Sequence, residues 1–330
     1  MRHLCLSTLC GIALLHLSCS RTPHVPKHQF SRSTFLRYLI CAVPTAIAPS
    51  VARAGAQAEG AGLPTKEMIY SKYPYQHPED FLRFIYDCSE EGDAKSVLRA
   101  IDRFAEAYPM YKLSPAKADL LALTMQSAHP RKVLEIGSFF GYSAIYLASN
   151  MPRDCLLCCI EGSAENAEIA KQLLIRSFAK DKQTLERIKI VNSLSSNVLR
   201  NRDAENFLFS GQSILGTEFN SNASKQFDFV FMDHDKDCYL PDLVTLEDRD
   251  LLRPDCVVVA DNVIFPGAPD FLSYVGIDED YLRSLEFDLK LPASTFNSSW
   301  QSDIKEFPFE RVGFETQFRV KRDGMSISRR

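Results

Sequence analysis

Three aspartates, a lysine and a histidine crowd residues 233–237 in the stretch FMDHDKDCYLPD, directly after the apolar run FDFVFM. Carboxylates packed this closely repel one another and need water, a cation or a protein partner. The end of an apolar strand is also where ligands of open α/β sheets gather. A second polar cluster follows the apolar run CVVVA, where Asp261 and Asn262 open ADNVIFPGAPDF. Asp233, Asp261 and Asn262 would offer two carboxylates and an amide carbonyl, hard oxygen donors suited to Mg²⁺, which takes few protein ligands and keeps positions for water or substrate. Lys236, three residues beyond Asp233, can reach the same centre. To act as a general base on a hydroxyl it must first lose its own proton, which a nearby dication and partial desolvation both favour. The competing reading of DHDKD is a solvated surface loop.

A third cluster lies upstream. VLEIGSFFGYSA places Gly137 and Gly141 between an apolar strand and a helix, where glycine lets the backbone turn tightly and approach a bound cofactor. The G-x-x-x-G spacing lacks the third glycine of a dinucleotide pyrophosphate site, which counts against a nicotinamide oxidoreductase. Glu135 precedes the turn, and Glu161 ends the next strand, well placed to accept hydrogen bonds from ribose hydroxyls. An acid before the glycine turn suits a cationic or amine-bearing cofactor, and S-adenosylmethionine carries both a sulfonium and an amino group.

The elements that must carry these residues alternate. KVLEI, CLLCCIE, RIKIVN, FDFVFMD and CVVVADN read as strands; GYSAIYLASNM, SAENAEIAKQLLIRSF and PDLVTLEDRDLL read as helices between them. That pattern predicts a parallel sheet with helices on both faces. Upstream, apolar spacing predicts a helix after EEGDAK, and Ser114 followed by Pro115 gives another helix a favourable start. NRDAENFLFSGQSILGTEFNSNASKQ reads as a helix plus a polar loop, and FPFERVGFETQFRVKR as a closing strand or hairpin. The C-x-x-C in CLLCCIE lacks a second ligand pair at finger spacing, so its thiols read as buried core.

Residues 1–58 contain no Asp or Glu but do contain Arg2, Arg21, Lys27, Arg32, Arg37 and Arg53, with two short apolar runs. This is the composition of a targeting or disordered lead ahead of a domain spanning 59–330. Both runs fall short of the roughly 20 residues of a membrane helix, so no stable membrane span is expected in the mature chain. The lead reads equally as a secretory signal with a linker or as a two-step secretory and plastid address. Beyond it, 32 Lys and Arg face 42 Asp and Glu, a formal charge of −10, which disfavours nucleic-acid partners. Oligomeric state is not legible.

VLEIGSFFGYSA, DHDKDCYLPD with LEDRDLL, and ADNVIFPGAPDF, in that order, resemble the blocks of the catechol O-methyltransferase family, class I S-adenosylmethionine-dependent enzymes, over about residues 81–320. The resemblance implies a Rossmann-like α/β fold with a central seven-stranded, mostly parallel sheet, helices on both faces and an antiparallel last strand. It implies Mg²⁺-dependent transfer of a methyl group from S-adenosylmethionine to a hydroxyl of a catechol or similar vicinal diol. A caffeoyl-CoA-type or other small-molecule O-methyltransferase, and a non-catalytic S-adenosylmethionine-binding or scaffold protein, are the alternatives. By the same resemblance Glu161 binds the cofactor ribose, Ser143 and the Leu113 backbone hold its methionine end, and Glu135 and Gly137 shape the loop beneath it. Ser195, Ser196 and His234 fall on the adenine side, with Asp233 bordering the cofactor. Asp233, Asp261 and Asn262 match the Mg²⁺ ligands, Lys236 the base, and Glu315 the carboxylate that hydrogen-bonds the second substrate hydroxyl. Asn262 also borders the substrate. The family walls its catechol pocket with tryptophans, whereas the matching positions here are Pro109 and Asp235, and the chain's one tryptophan is Trp300. Aromatic walls hold a flat ring by stacking, so this departure bears on substrate identity more than on chemistry.

Overall fold

A computed structural model describes residues 77–108, 110–201, 203–219, 225–285, 299–308 and 322–330. The lead, Pro109 and Glu315 lie outside the described residues.

Three helices open the domain, α1 (Pro78–Cys88), α2 (Ala94–Ala107) and α3 (Pro115–Ala128). Asp93 and Ser114 cap the latter two by accepting the backbone N–H of Ser96 and Lys117, each supplying an acceptor for an otherwise unpaired amide. The predicted alternation follows: β1 (Lys132–Ile136), α4 (Tyr142–Asn150), β2 (Leu156–Glu161), α5 (Ala164–Ser177), α6 (Lys182–Leu185) and β3 (Ile188–Asn192). Next come α7 (Ser195–Leu199), α8 (Ala204–Phe209), β4 (Phe227–Met232), α9 (Tyr239–Asp248) and β5 (Leu252–Ala260). The chain ends in α10 (Pro269–Tyr274), α11 (Glu279–Ser284), β6 (Gln301–Pro308) and β7 (Arg322–Arg329).

The strands form one seven-stranded sheet in the order β3-β2-β1-β4-β5-β7-β6. β1 to β5 pair in parallel, and β7 runs antiparallel to both of its neighbours. Helices cover both faces of the central strands, so the strands read as apolar runs without alternation: Val133, Leu134, Phe229, Val230, Phe231, Met232, Val258 and Val259 have no exposed surface. Cys158 and Cys159 are buried free thiols in β2, as expected of core. Burial pushes the Cys158 thiol up to about 12.

Of the closing strand or hairpin expected over residues 307–322, residues 309–321 lie outside the described residues, and the flanking strands β6 and β7 pair antiparallel. The alternation read in residues 307–322 only overlaps the described strands at their edges, because β6 ends at Pro308 and β7 begins at Arg322. β7 escaped notice because both of its faces are buried: Met325 and Ile327 pack on one, while Ser326 and Ser328, with no exposed surface, lie on the other. Buried serines break the apolar signature of a strand. Ser328 meets its hydrogen-bonding need across the hairpin, where Ser302 Oγ lies 2.8 Å away. Trp300 is also core, 5% exposed, with its indole N–H donating to Glu247 at 3.1 Å. Among the described residues no helix is long and apolar enough to cross a membrane.

Candidate active site

From β1 the chain moves outward to β2 and β3, then returns to place β4 on the other side of β1. The carboxyl ends of β1 and β4 therefore flank a switch point, where such sheets take ligands. Backbone bonds bring three loops together there. Gly137 N–H donates to Ile160 O at 2.9 Å, Asp233 N–H to Ile136 O at 2.9 Å, and Asp261 N–H to Met232 O at 3.0 Å. The segments holding Glu135, Glu161, Asp233 and Asp261 thus meet at one edge, as the strand reading required.

On the β1 side, Glu135 is completely buried. Its Oε2 accepts Ser138 Oγ at 2.8 Å, while Oε1 is buried with no hydrogen-bond partner among the described residues. Burial pushes this carboxyl up to about 7, against the pull of the nearby Ser143, Cys159 and Ser138 side chains. Such an orphaned acid oxygen suits a cationic group. Glu161 is held from both ends: Oε2 accepts Phe139 N–H at 2.8 Å, and Oε1 accepts Ser163 N–H at 2.9 Å. Ser143 is buried at the start of α4, and Ser195 and Ser196 open α7. Leu113 stands just ahead of α3, its carbonyl accepting Lys112 Nζ at 3.1 Å.

On the β4 side, Lys236 Nζ donates to Asp233 Oδ1 at 2.9 Å and to the Tyr239 hydroxyl at 2.7 Å. The Tyr239 hydroxyl in turn reaches Met232 O at 2.8 Å and Asp261 O at 3.0 Å, tying β4, β5 and the lysine together. His234 Nε2 lies 2.9 Å from the buried carboxylate of Asp242, and its Nδ1 is buried without a hydrogen-bond partner among the described residues. Asp235 is exposed and caps the turn at Lys236–Cys238 by accepting Asp237 N–H at 3.2 Å.

Asp261 is 2% exposed and faces an unforeseen cation. Lys117 Nζ lies 2.5 Å from Asp261 Oδ1 and 2.5 Å from Asp323 Oδ2. Burial opposes the charge on Lys117, but the two carboxylates outweigh it and hold the ammonium above its ordinary range. Burial likewise pushes the Asp261 carboxyl up, to about 6, and Lys117 pulls against that rise. At neutral pH the contact is an ion pair. Asn262, with φ of 56°, occupies the left-handed region that asparagine tolerates, and its Nδ2 donates to Asp323 Oδ2 at 2.6 Å.

Among the described residues no group of three or more His, Cys, Asp or Glu side chains is placed to hold a metal. The set expected from the sequence is of another composition, two carboxylates and an amide, and its donor atoms suit a hard cation. Asp233 Oδ1, Asp261 Oδ1 and Asn262 Nδ2 are each held by protein partners. Asp233 Oδ2, Asp261 Oδ2 and Asn262 Oδ1 accept no hydrogen bond from the described residues. Each residue keeps one oxygen in reserve.

Lys117, Asp323 and Tyr239 went unread in the sequence. Lys117 did leave a signal, since a basic residue in the first turn of a helix runs against the helix dipole and calls for a reason. Asp323 and Tyr239 left none, because only the hairpin and the return of α9 bring them to the site.

A family model for O-methyltransferases matches residues 89–270, more than half of the chain. The chain belongs to the O-methyltransferase family. Catechol O-methyltransferase B of Danio rerio is 33% identical over 205 residues, covering 62% of this chain and 70% of that protein. Catechol O-methyltransferase of Mus musculus is 33% identical over 195 residues, covering 59% of this chain and 66% of its own length. A solved O-methyltransferase of Bacillus cereus, in complex with SAH, is 20% identical with a TM-score of 0.47, covering 76% of this chain and 90% of that one. In this methyltransferase the matched residues 89–270 take in Glu135, Gly137, Glu161, Asp233, Lys236, Asp261 and Asn262, and stop short of Asp323.

Proposed function

We propose that this methyltransferase moves the methyl group of S-adenosylmethionine to a hydroxyl of a catechol or similar vicinal diol, in a reaction that depends on Mg²⁺. One observation carries the reading: Asp233, Asp261 and Asn262, at neighbouring strand ends, each keep an oxygen in reserve while Lys236 stands 2.9 Å from Asp233. When bound, the cation would supply Lewis acidity and a template for two vicinal oxygens, and the cofactor would supply the methyl group. Lys236 takes the proton from the substrate hydroxyl. Tyr239 and Asp233 hold the Lys236 amine at the strand end, where it would meet that hydroxyl, and the orphaned oxygen of Glu135 would take the positive end of the cofactor. Glu161, fixed by backbone N–H groups, is left with lone pairs for the ribose hydroxyls. Gly137 lets the loop after β1 pack directly against the backbone of Asp233 and His234, which fixes the two loops that border the cofactor side.

The test is methyl transfer from S-adenosylmethionine across a panel of catechols and caffeoyl-type compounds, with and without chelator. Transfer that is lost on chelation, and lost in Asp261→Ala without loss of cofactor binding, is the expected result. Cofactor binding with no transfer to any diol in the presence of Mg²⁺ would instead favour a binding protein built on this fold.

A further inference from the structure

Lys117 is an anomaly in its own helix. It stands in the first turn of α3, where the helix dipole favours anions, and its side chain is only 8% exposed. A buried ammonium is costly unless paired, and the pairing comes from remote elements: Asp261 after β5 and Asp323 in β7, each with a side chain 3% exposed. Asp323 is the more fully committed of the two. Its Oδ1 accepts the backbone N–H of Phe265 at 3.0 Å and of Gly324 at 2.7 Å, and its Oδ2 accepts Lys117 Nζ at 2.5 Å and Asn262 Nδ2 at 2.6 Å.

An ionised carboxylate only accepts hydrogen bonds, so the end of the Asn262 amide against Asp323 must be the NH₂ group. The amide oxygen is thereby left over. The same logic applies to Asp261, whose Oδ1 receives both Lys117 Nζ at 2.5 Å and the Asn262 N–H at 2.7 Å, leaving Oδ2. We propose that Asp323, with Lys117 as its counter-ion, is a positioning residue that decides which end of its amide Asn262 presents to the divalent cation. The inference rests on the cation-dependent methyl transfer proposed above. Asp323 itself is no ligand, because both of its oxygens are already doubly engaged.

Asp323→Asn is isosteric, and its consequence follows from donor and acceptor placement. The two backbone N–H groups at Phe265 and Gly324 hold the new amide oxygen, so the new NH₂ is turned toward Lys117 and Asn262. Donor then faces donor. The Asn262 amide must turn over to give its oxygen to Asn at 323, and that oxygen is withdrawn from the cation.

Mn²⁺ titration of the full chain saturated with S-adenosylmethionine, read by calorimetry and electron paramagnetic resonance, tests this. Asp323→Asn should weaken Mn²⁺ binding by about 10- to 100-fold, the usual effect of removing a group that orients a metal ligand. In an Asn262→Ala background the same change should cost less than about threefold, because the amide it acts through is gone. Unchanged Mn²⁺ affinity in Asp323→Asn, or equal losses in the two backgrounds, would overturn the proposal. Should Asp323→Asn fail to fold, a crystal structure of the unaltered protein with Mn²⁺ decides instead. An ion on Asn262 Oδ1 with Asp323 still against Nδ2 is expected; an ion held directly by Asp323 refutes the assignment. Failure of the unaltered protein to bind Mn²⁺ at all would remove the cation reading and this inference together, whereas the variant results bear on Asp323 alone.

Discussion

Gly137 and Asp233 meet backbone to backbone across the switch point: a Cβ on Gly137 would fall 2.6 Å from the Asp233 carbonyl oxygen. The contact holds the loop after β1 against the loop after β4, and Gly137 makes it with φ of +93°, a conformation other residues resist. Gly137→Ala therefore meets both a clash and backbone strain. The expected loss is about 1–3 kcal/mol of stability, with S-adenosylmethionine binding weakened because the loop must move away from β4. Urea unfolding and calorimetric titration check the two effects, and an unaltered affinity would show that the loop does not contact the cofactor.

Glu135 makes stability depend on pH. Its carboxyl is raised by burial from 4.5 to about 7, so the folded chain prefers the neutral acid. The contribution is fully present below pH 4.5 and fades as pH rises through about 7, on the order of 3 kcal/mol over that window. Glu135→Gln should flatten this part of the cofactor-free stability curve and raise stability at pH 8. Denaturant midpoints from pH 5 to 8 are the measurement.

Tyr239 has no exposed surface, and its hydroxyl links Lys236 to the carbonyls of Met232 and Asp261. Tyr239→Phe keeps the ring and strands those partners, costing about 1–3 kcal/mol. Turnover should fall with it, because Lys236 then relies on Asp233 alone among the partners that fix it at the strand end. A variant that is destabilised yet turns over normally would separate Tyr239 from the chemistry.

Lys236→Met keeps the length of the side chain and removes its proton acceptor. Turnover should drop about 10²- to 10⁴-fold, the range for a general base, with S-adenosylmethionine affinity preserved. Steady-state kinetics on a responsive diol, with cofactor titration alongside, are decisive, and unchanged turnover would exclude Lys236 as the base.

Most of the scaffold was written in local pattern. Strands buried on both faces must be apolar runs, helices that cover them must carry polar faces, and Ser114 with Pro115 announces a helix start wherever the chain goes. Carboxylates at strand tips were equally visible, because Asp233 and Asp261 interrupt runs that are otherwise apolar. Direction and order of strands then bring those tips to one edge.

The sequence by itself determined the alternation of strand and helix, the glycine turn after β1 and the polar residues ending β4 and β5, since each depends on neighbours a few positions away. Only the tertiary structure decided which atoms remain unengaged. Lys117, Asp261 and Asp323 are 144 and 206 positions apart as counted from the lysine, and a buried charge finds its partner through space, where low polarity makes pairing compulsory, rather than along the chain. β7 was hidden for a related reason: its buried serines look like solvent-facing residues until the fold covers them, and only Ser328 then finds a side-chain partner, Ser302, on the facing strand.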